Sequence, residues 1–375
     1  VNERERFIEV MNHRRPDRIP FAPGKGREST LKAWHSQGLP AEVTDYPAYV
    51  RELIGMEPAP KYESVDHGVD FLMIPQFEEK VIERRPGTLV VRDWKGNICE
   101  ISDQFDVRYL RSAIDFVTRT WLKCPVESRA DWADMARRYN PNDPARFPAD
   151  WAGRCAALKN RQYVSSIIIS GPFWQLREWL GFENLCMLLL DDPDFAAEMI
   201  RFYEQYIAEL LTRVLRDFVP DHVLVSEDMA YKEKPMISPD MARKFLLPTW
   251  RRWADICRSA GVPVYEIDSD GYVESLIPVW IDAGFIANSP VEVAAGNDLP
   301  KFSRTFGRRM AYRGGVDKRE MARGGQYIRA EIDRLRPAID AGGYIPGCDH
   351  GVPADVSWPN YVDYCRLLAE ATGWL

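Results

Sequence analysis

Near the end of the chain, "GGYIPGCDHGVP" at 342–353 sets Cys348, Asp349 and His350 on three consecutive positions. A thiol, a carboxyl and an imidazole together can bind a metal or move a proton. Comparable groups recur upstream. "SEDMAY" carries Glu227, Asp228 and Tyr231, and "YEIDSDG" carries Glu266, Asp268 and Asp270 on alternate residues. "FIANSP" contains Asn288, "AYRGGVD" holds Arg313 and Asp317, and "APGKGRES" adds the cations Lys25 and Arg27. Each has a plainer reading beside the chemical one. Asp268 to Asp270 can cap the next helix, and Cys348 can be a small buried apolar residue. His350 can bind a loop carbonyl, and Lys25 and Arg27 can be solvated charges.

What favours the chemical reading is the position of these groups along the chain. Each set follows a short apolar run, and each run is followed by a helical pattern. "RIPFAPG", "DFLMIP", "YVSSIIISGPF" and "DHVLVSEDMA" supply four candidate strands, and "VPVYEIDSDG", "FIANSP", "RMAYRGGV" and "YIPG" four more. Between them, "SPDMARKFLLPTWRRWADICRSAG" has a Ser238 N-cap, a first-turn Pro239 and a terminating Gly261, and "GYVESLIPVWIDAG" stops at Gly284. In 192–215, Phe195, Met199, Ile200, Tyr203, Ile207, Leu210 and Val214 form one apolar helix stripe. Eight strand–helix units predict an α/β fold, a (β/α)8 TIM barrel spanning 1–375 as one domain. Residues 79–102, with Pro-Gly and Lys-Gly-Asn turns, break the alternation and predict a small antiparallel β insertion after strand 2. In such a barrel the carboxyl ends of the strands share one mouth. The polar groups collect at those ends, while the opposite ends carry Ser259, Ala283 and Ala341.

Composition narrows the function classes. With 46% hydrophobic and 28% charged residues, the 375-residue chain has the make-up of a soluble globular protein. A net charge of −7 argues against a nucleic-acid surface, and no apolar run is long enough to span a membrane. Seven cysteines without paired spacing fit reduced thiols in a cytoplasm. G-x-S-x-G, H-E-x-x-H, P-loop and G-x-G-x-x-G signatures are all missing.

Several stretches resemble the uroporphyrinogen decarboxylase-like superfamily, in order and over nearly the whole chain. They are "RERFIEVMNHRRPDRIPFAPG", "SGPFWQLREWLGFENL", "EDMAYKEKPMISPDMARKFLLPTWRRW", "EIDSDGYVESLIPVWIDAG", "GGVDKR" and "GGYIPGCDHGVPADVSWPNY". The resemblance implies a (β/α)8 barrel and one of two activities. Heme-pathway decarboxylases carry an arginine-rich N-terminal stretch, whereas "FAPGKGRESTLKAW" offers only Lys25, Arg27 and Lys32. Zinc- and corrinoid-dependent methyltransferases carry His-x-Cys after strand 5 and a cysteine after strand 8. Here those places hold Glu266-x-Asp268 and Cys348, which the resemblance implies as zinc ligands of a harder, oxygen-seeking site. The expected reaction is methyl transfer from a small methylated, more specifically methoxy, substrate to cobalamin. That cofactor would be carried by a partner corrinoid protein, because no D-x-H-x-x-G segment occurs in this chain. His350, Glu227 and Asp270 would handle protons, and Lys25, Arg27, Tyr231, Asn288 and Arg313 would contact substrate. A possible homodimer completes the expected partners. The alternative is a metal-independent decarboxylase of a uroporphyrinogen-like or aromatic acid.

Overall fold

Six of the eight expected strands form one parallel sheet. The computed structural model describes residues 1–113, 115 and 117–375. An antiparallel sheet comes first: β1 (Lys80–Arg85), β2 (Thr88–Arg92), β3 (Ile98–Ser102) and β4 (Thr120–Lys123), paired in that order. The parallel sheet follows with β5 (Ser166–Ser170), β6 (His222–Ser226), β7 (Val264–Asp268), β8 (Ala287–Ser289), β9 (Ala311–Val316) and β10 (Tyr344–Cys348). Each of these strands lies beside its successor in the chain, which the intervening helices permit by carrying the chain back to the starting end.

Alternation along the strands sorts side chains between two faces. Ile167, Ile169, Val223, Val225 and Ile267 pack into the main core with the outer helices. The long helix Pro193–Asp217 turns all seven residues of its expected stripe into burial. Ser238 caps the helix Pro239–Phe245 by accepting from the Met241 amide. The expected single helix 238–261 is nevertheless two, because Pro248 brings no N–H and a second helix, Leu247–Ala260, restarts there. It ends at Gly261 with φ 86°. On the opposite, inner face, Val264, Ala287, Ala311 and Ile345 form a layer covered by Phe7, Val10 and Met11 of the N-terminal helix Glu3–Met11.

The two N-terminal strands, expected in 18–24 and 70–75, are not formed. Pro20 and Pro23 remove donors from the first segment. It still runs beside β10, where the Cys348 amide donates to the Pro23 carbonyl at 3.3 Å and the Val352 amide to the Lys25 carbonyl at 2.8 Å. The second segment spends its carbonyls on a side chain instead. The buried Arg146 guanidinium donates to the carbonyls of Asp70, Leu72, Arg138 and Asn140. The antiparallel insertion is present and larger than 79–102. β4 extends it to Lys123, and it has its own core of Leu89, Val91, Cys99, Ile101, Val107, Leu110 and Val117.

Candidate functional site

Parallel register places Ser170, Ser226, Asp268 and Ser289 side by side at the carboxyl ends of β5 to β8. Just below Asp268 on the same face is Glu266, fully buried and heavily engaged. Arg313 from β9 donates to it through Nε at 2.8 Å and Nη2 at 2.7 Å, and the Ser289 hydroxyl donates at 2.5 Å. His222 Nε2 lies 3.0 Å away, while its Nδ1 faces the Ser166 hydroxyl. Burial alone would raise the Glu266 carboxyl, but Arg313 and His222 outweigh it and hold it well below the usual range. Glu266 is therefore a fixed anion that orients Arg313, whose side chain remains one-third exposed.

Asp268 is in the opposite condition. Burial, and then the charges of Asp270 and Glu266, push it up to about 7. Only its Oδ2 is held, by the Ser289 hydroxyl at 3.1 Å. At neutral pH it is poised to give or take a proton. Above it, His350 Nε2 contacts Asp270 Oδ1 at 3.0 Å. Burial would lower the imidazole, but hydrogen bonds to Asp270 and Asp349 lift it to about 9. Lys318 Nζ, 3.0 Å from Nδ1, can donate only to an unprotonated nitrogen and so pulls the other way. The two carboxylates outweigh that single ammonium. Asp349 in turn is fully buried and accepts from the Val293 amide, so the network is tied to the loop after β8.

The expected site residues divide. Glu266, Asp268, Asp270, Arg313 and His350 come together on the inner face and its rim. Glu227 does not join them. It is outward-facing and fully buried, accepting from the Trp174 amide at 3.0 Å and the Trp250 indole at 2.6 Å. Burial pushes it up to about 8, with those two donors opposing. A carboxyl sealed between helices cannot protonate a substrate at the mouth. Asn288 is also fully buried, its amide donating to the carbonyls of Ile267 and Ser289, so it is no substrate contact. Tyr231 stands half exposed on the rim against Phe182. Lys25 is exposed and Arg27 lies over Gly351 beside His350. Neither makes an ion pair among the described residues.

The zinc set is not assembled. Among the described residues no three His, Cys, Asp or Glu side chains gather closely enough to hold a metal. Glu266 has committed its oxygens to Arg313, Ser289 and His222. Cys348 belongs to the apolar core, where burial pushes its thiol up to about 12. Glu266, Asp268 and Cys348 in this arrangement do not fit a zinc ion. Residues the sequence reading passed over are His222, Ser289 and Lys318, each in contact with the cluster.

No family model and no curated protein matches the sequence. Among solved structures, a methyltransferase from Methanosarcina mazei superposes with a TM-score of 0.58 at 14% identity, over 99% of this chain and 98% of that one. A B12-independent methionine synthase from Shewanella sp. W3-18-1, in complex with selenomethionine, reaches a TM-score of only 0.38 at 10% identity. It covers 81% of this chain and 75% of that one, and is too distant to carry weight. The chain has the fold of the first of these neighbours, end to end.

Proposed function

We propose that this protein is a methyltransferase that removes a methyl group from the oxygen of a small methoxy substrate. The acceptor is the reduced corrinoid of a separate protein docking over the mouth. The segments 18–24 and 70–75, without strand pairing, take the places of the two remaining staves of an eight-stranded barrel, with 1–375 acting as one domain. The observation that carries the reading is the buried Asp268 carboxyl, pushed up to about 7 by burial and its acidic neighbours, on the inner face beside the guanidinium that Glu266 holds. An ether is a poor methyl donor because its oxygen must keep the electron pair of the broken C–O bond. Asp268 gives that oxygen a proton as the methyl leaves, and Arg313 stabilises the charge that builds on it. His350, with Asp270, forms the rim above.

The reading is supported by the fold shared with a methyltransferase and by the sequence resemblance. A second reading has one observation in its favour. Lys25 and Arg27 lack acidic partners among the described residues and, with Arg313, could anchor carboxylates of a decarboxylase substrate. One experiment separates the two. The purified protein is incubated with reduced cobalamin and methoxylated compounds, and separately with pyrrole and aromatic carboxylic acids. Methylcobalamin absorbance in the first arm is expected. Carbon dioxide from the second arm, with no methylcobalamin from any donor, would replace methyl transfer by decarboxylation.

A further inference from the structure

A cavity of about 200 Å³ opens beside the inner face, at the carboxyl end of β5. Its walls come from four parts of the chain that the sequence reading left unconnected, one of them Tyr139. Trp174 and Trp179 come from the helix Pro172–Leu180, and Leu72 and Met73 from the 70–75 segment. Trp94 and Lys95 come from the turn joining β2 to β3 in the antiparallel insertion. That turn is firmly built. The buried Asp93 accepts from the amides of Lys95 and Asn97, and the Trp94 carbonyl accepts from the Phe77 amide. Gly96, at φ 94°, sits against the Phe77 ring, where a Cβ would come within 2.7 Å. The insertion thus delivers one aromatic wall to a fixed place.

The charged edge of the cavity is one pair, Lys95 and Glu178, and Ser170, Gln175 and Tyr139 add neutral polar groups to the lining. Glu178 Oε2 lies 2.6 Å from Lys95 Nζ, yet it is buried and makes no well-angled hydrogen bond. One donor and one under-used acceptor side by side match a hydroxyl group, which accepts and donates at once. A cage of tryptophans could instead suggest a quaternary ammonium ligand. Here Lys95 already fills that role, with Nζ 5.2 Å from the Trp94 ring centre and 5.8 Å from that of Trp174. A second cation would meet its charge.

We infer that this cavity binds a single aromatic ring bearing a phenolic hydroxyl, which turns to Lys95 and Glu178. A cavity of about 150 Å³ is enough for benzene, so 200 Å³ accommodates a substituted ring and little more. Ser170 lines the cavity and lies two strands from Asp268 in the same registered row, about 10 Å at the usual strand spacing. A ring seated there would extend a methoxy substituent along the row toward Asp268. Ring binding stands on the cavity alone; that the bound ring is the methyl donor rests on the methyl-transfer reading above.

The test is calorimetric binding of 3-methoxyphenol, 2-methoxyethanol and tetramethylammonium to the wild-type protein and to Trp94→Ala, Trp94→Phe and Lys95→Met. Thermal unfolding of each variant checks that it is folded. The wild type is expected to bind 3-methoxyphenol in preference to the other two. Trp94→Ala should weaken that binding about tenfold, while Trp94→Phe largely restores it. Lys95→Met should weaken it and remove the discrimination against tetramethylammonium. Equal binding of 3-methoxyphenol by the wild type, Trp94→Ala and Lys95→Met would overturn the inference, as would stronger wild-type binding of tetramethylammonium. Methyl transfer from 2-methoxyethanol without 3-methoxyphenol binding would remove the subsite and leave the reaction. Binding of 3-methoxyphenol without methyl transfer from any donor would do the reverse.

Discussion

An aspartate enclosed with Asp270 and Glu266 as neighbours cannot ionise where an exposed one does. Asp268 therefore holds its proton until about pH 7, and two consequences follow with definite sign. As the general acid proposed above it would work protonated, so kcat/KM should fall as pH rises through about 7. Asp268→Asn should lower the rate by about 100-fold or more and remove that limb of the pH profile. For stability, the folded value is raised above the unfolded one. The stabilisation is then full below about pH 4 and lost as pH rises through about 7. Asp268→Asn should accordingly raise Tm relative to the wild type at about pH 8 and change it little at about pH 4. A pH-independent loss of activity with no Tm gain would remove Asp268 from this role. The sequence made Asp268, Asp270, Arg313 and His350 legible because they follow apolar runs. It misplaced Glu227 and Asn288 because strand-end position was used without strand parity. His222, Leu224 and Ser226 share the inner face, so Glu227, one residue on, had to point outward. The same parity would have brought His222 into the site.

At the scale of elements, the helices and the six C-terminal strands were readable because their cues are local: Ser238, Pro239, Gly261 and Gly284 act on their own backbone. The 70–75 segment was not readable, since its partner is a side chain more than sixty residues away. Arg146, fully buried over the Tyr206 ring, supplies the donors that a neighbouring strand would otherwise give. Replacing it takes a donor from four carbonyls at once, those of Asp70, Leu72, Arg138 and Asn140. Leu72 keeps the Tyr206 hydroxyl, Arg138 the Ile74 amide and Asn140 the Asp143 amide, so among the described residues only the Asp70 carbonyl is left without a donor. Arg146→Met keeps much of the apolar volume while removing every donor. It should cost about 1–3 kcal/mol in urea unfolding, because the orphaned Asp70 acceptor bears its full desolvation penalty. Since Leu72 and Met73 line the aromatic cavity, the variant should also weaken 3-methoxyphenol binding. A loss under about 1 kcal/mol would mean that water satisfies the Asp70 carbonyl.

For the whole molecule, the decisive feature is the seam between the two chain ends. β10 is the last strand of the sheet, and 18–24 lies against it. Gly347 permits the approach, since a Cβ there would come within 2.3 Å of the Ala22 carbonyl oxygen. The closing helix Trp358–Thr372 joins both sides: Tyr361 and Tyr364 donate to the carbonyls of Gly24 and Pro23. Next to it, Trp374 donates its indole N–H to the Ile19 carbonyl. The guanidinium groups of Arg6, Arg18 and Arg51 lie 5.1, 4.7 and 4.9 Å from the Trp374 ring centre. Three cations from three N-terminal elements thus converge on one C-terminal ring, and Asp17 neutralises part of their charge through Arg6. Trp374→Ala removes the ring, its hydrogen bond and the packing beneath it together. The expected loss is about 2–4 kcal/mol, with the Arg side chains left to repel one another. Because the seam is local, hydrogen exchange should quicken in 18–24 and in β10 while the amides of β6 and β7 keep their protection. Uniform acceleration across the sheet would show that the chain ends hold the entire fold rather than the seam alone.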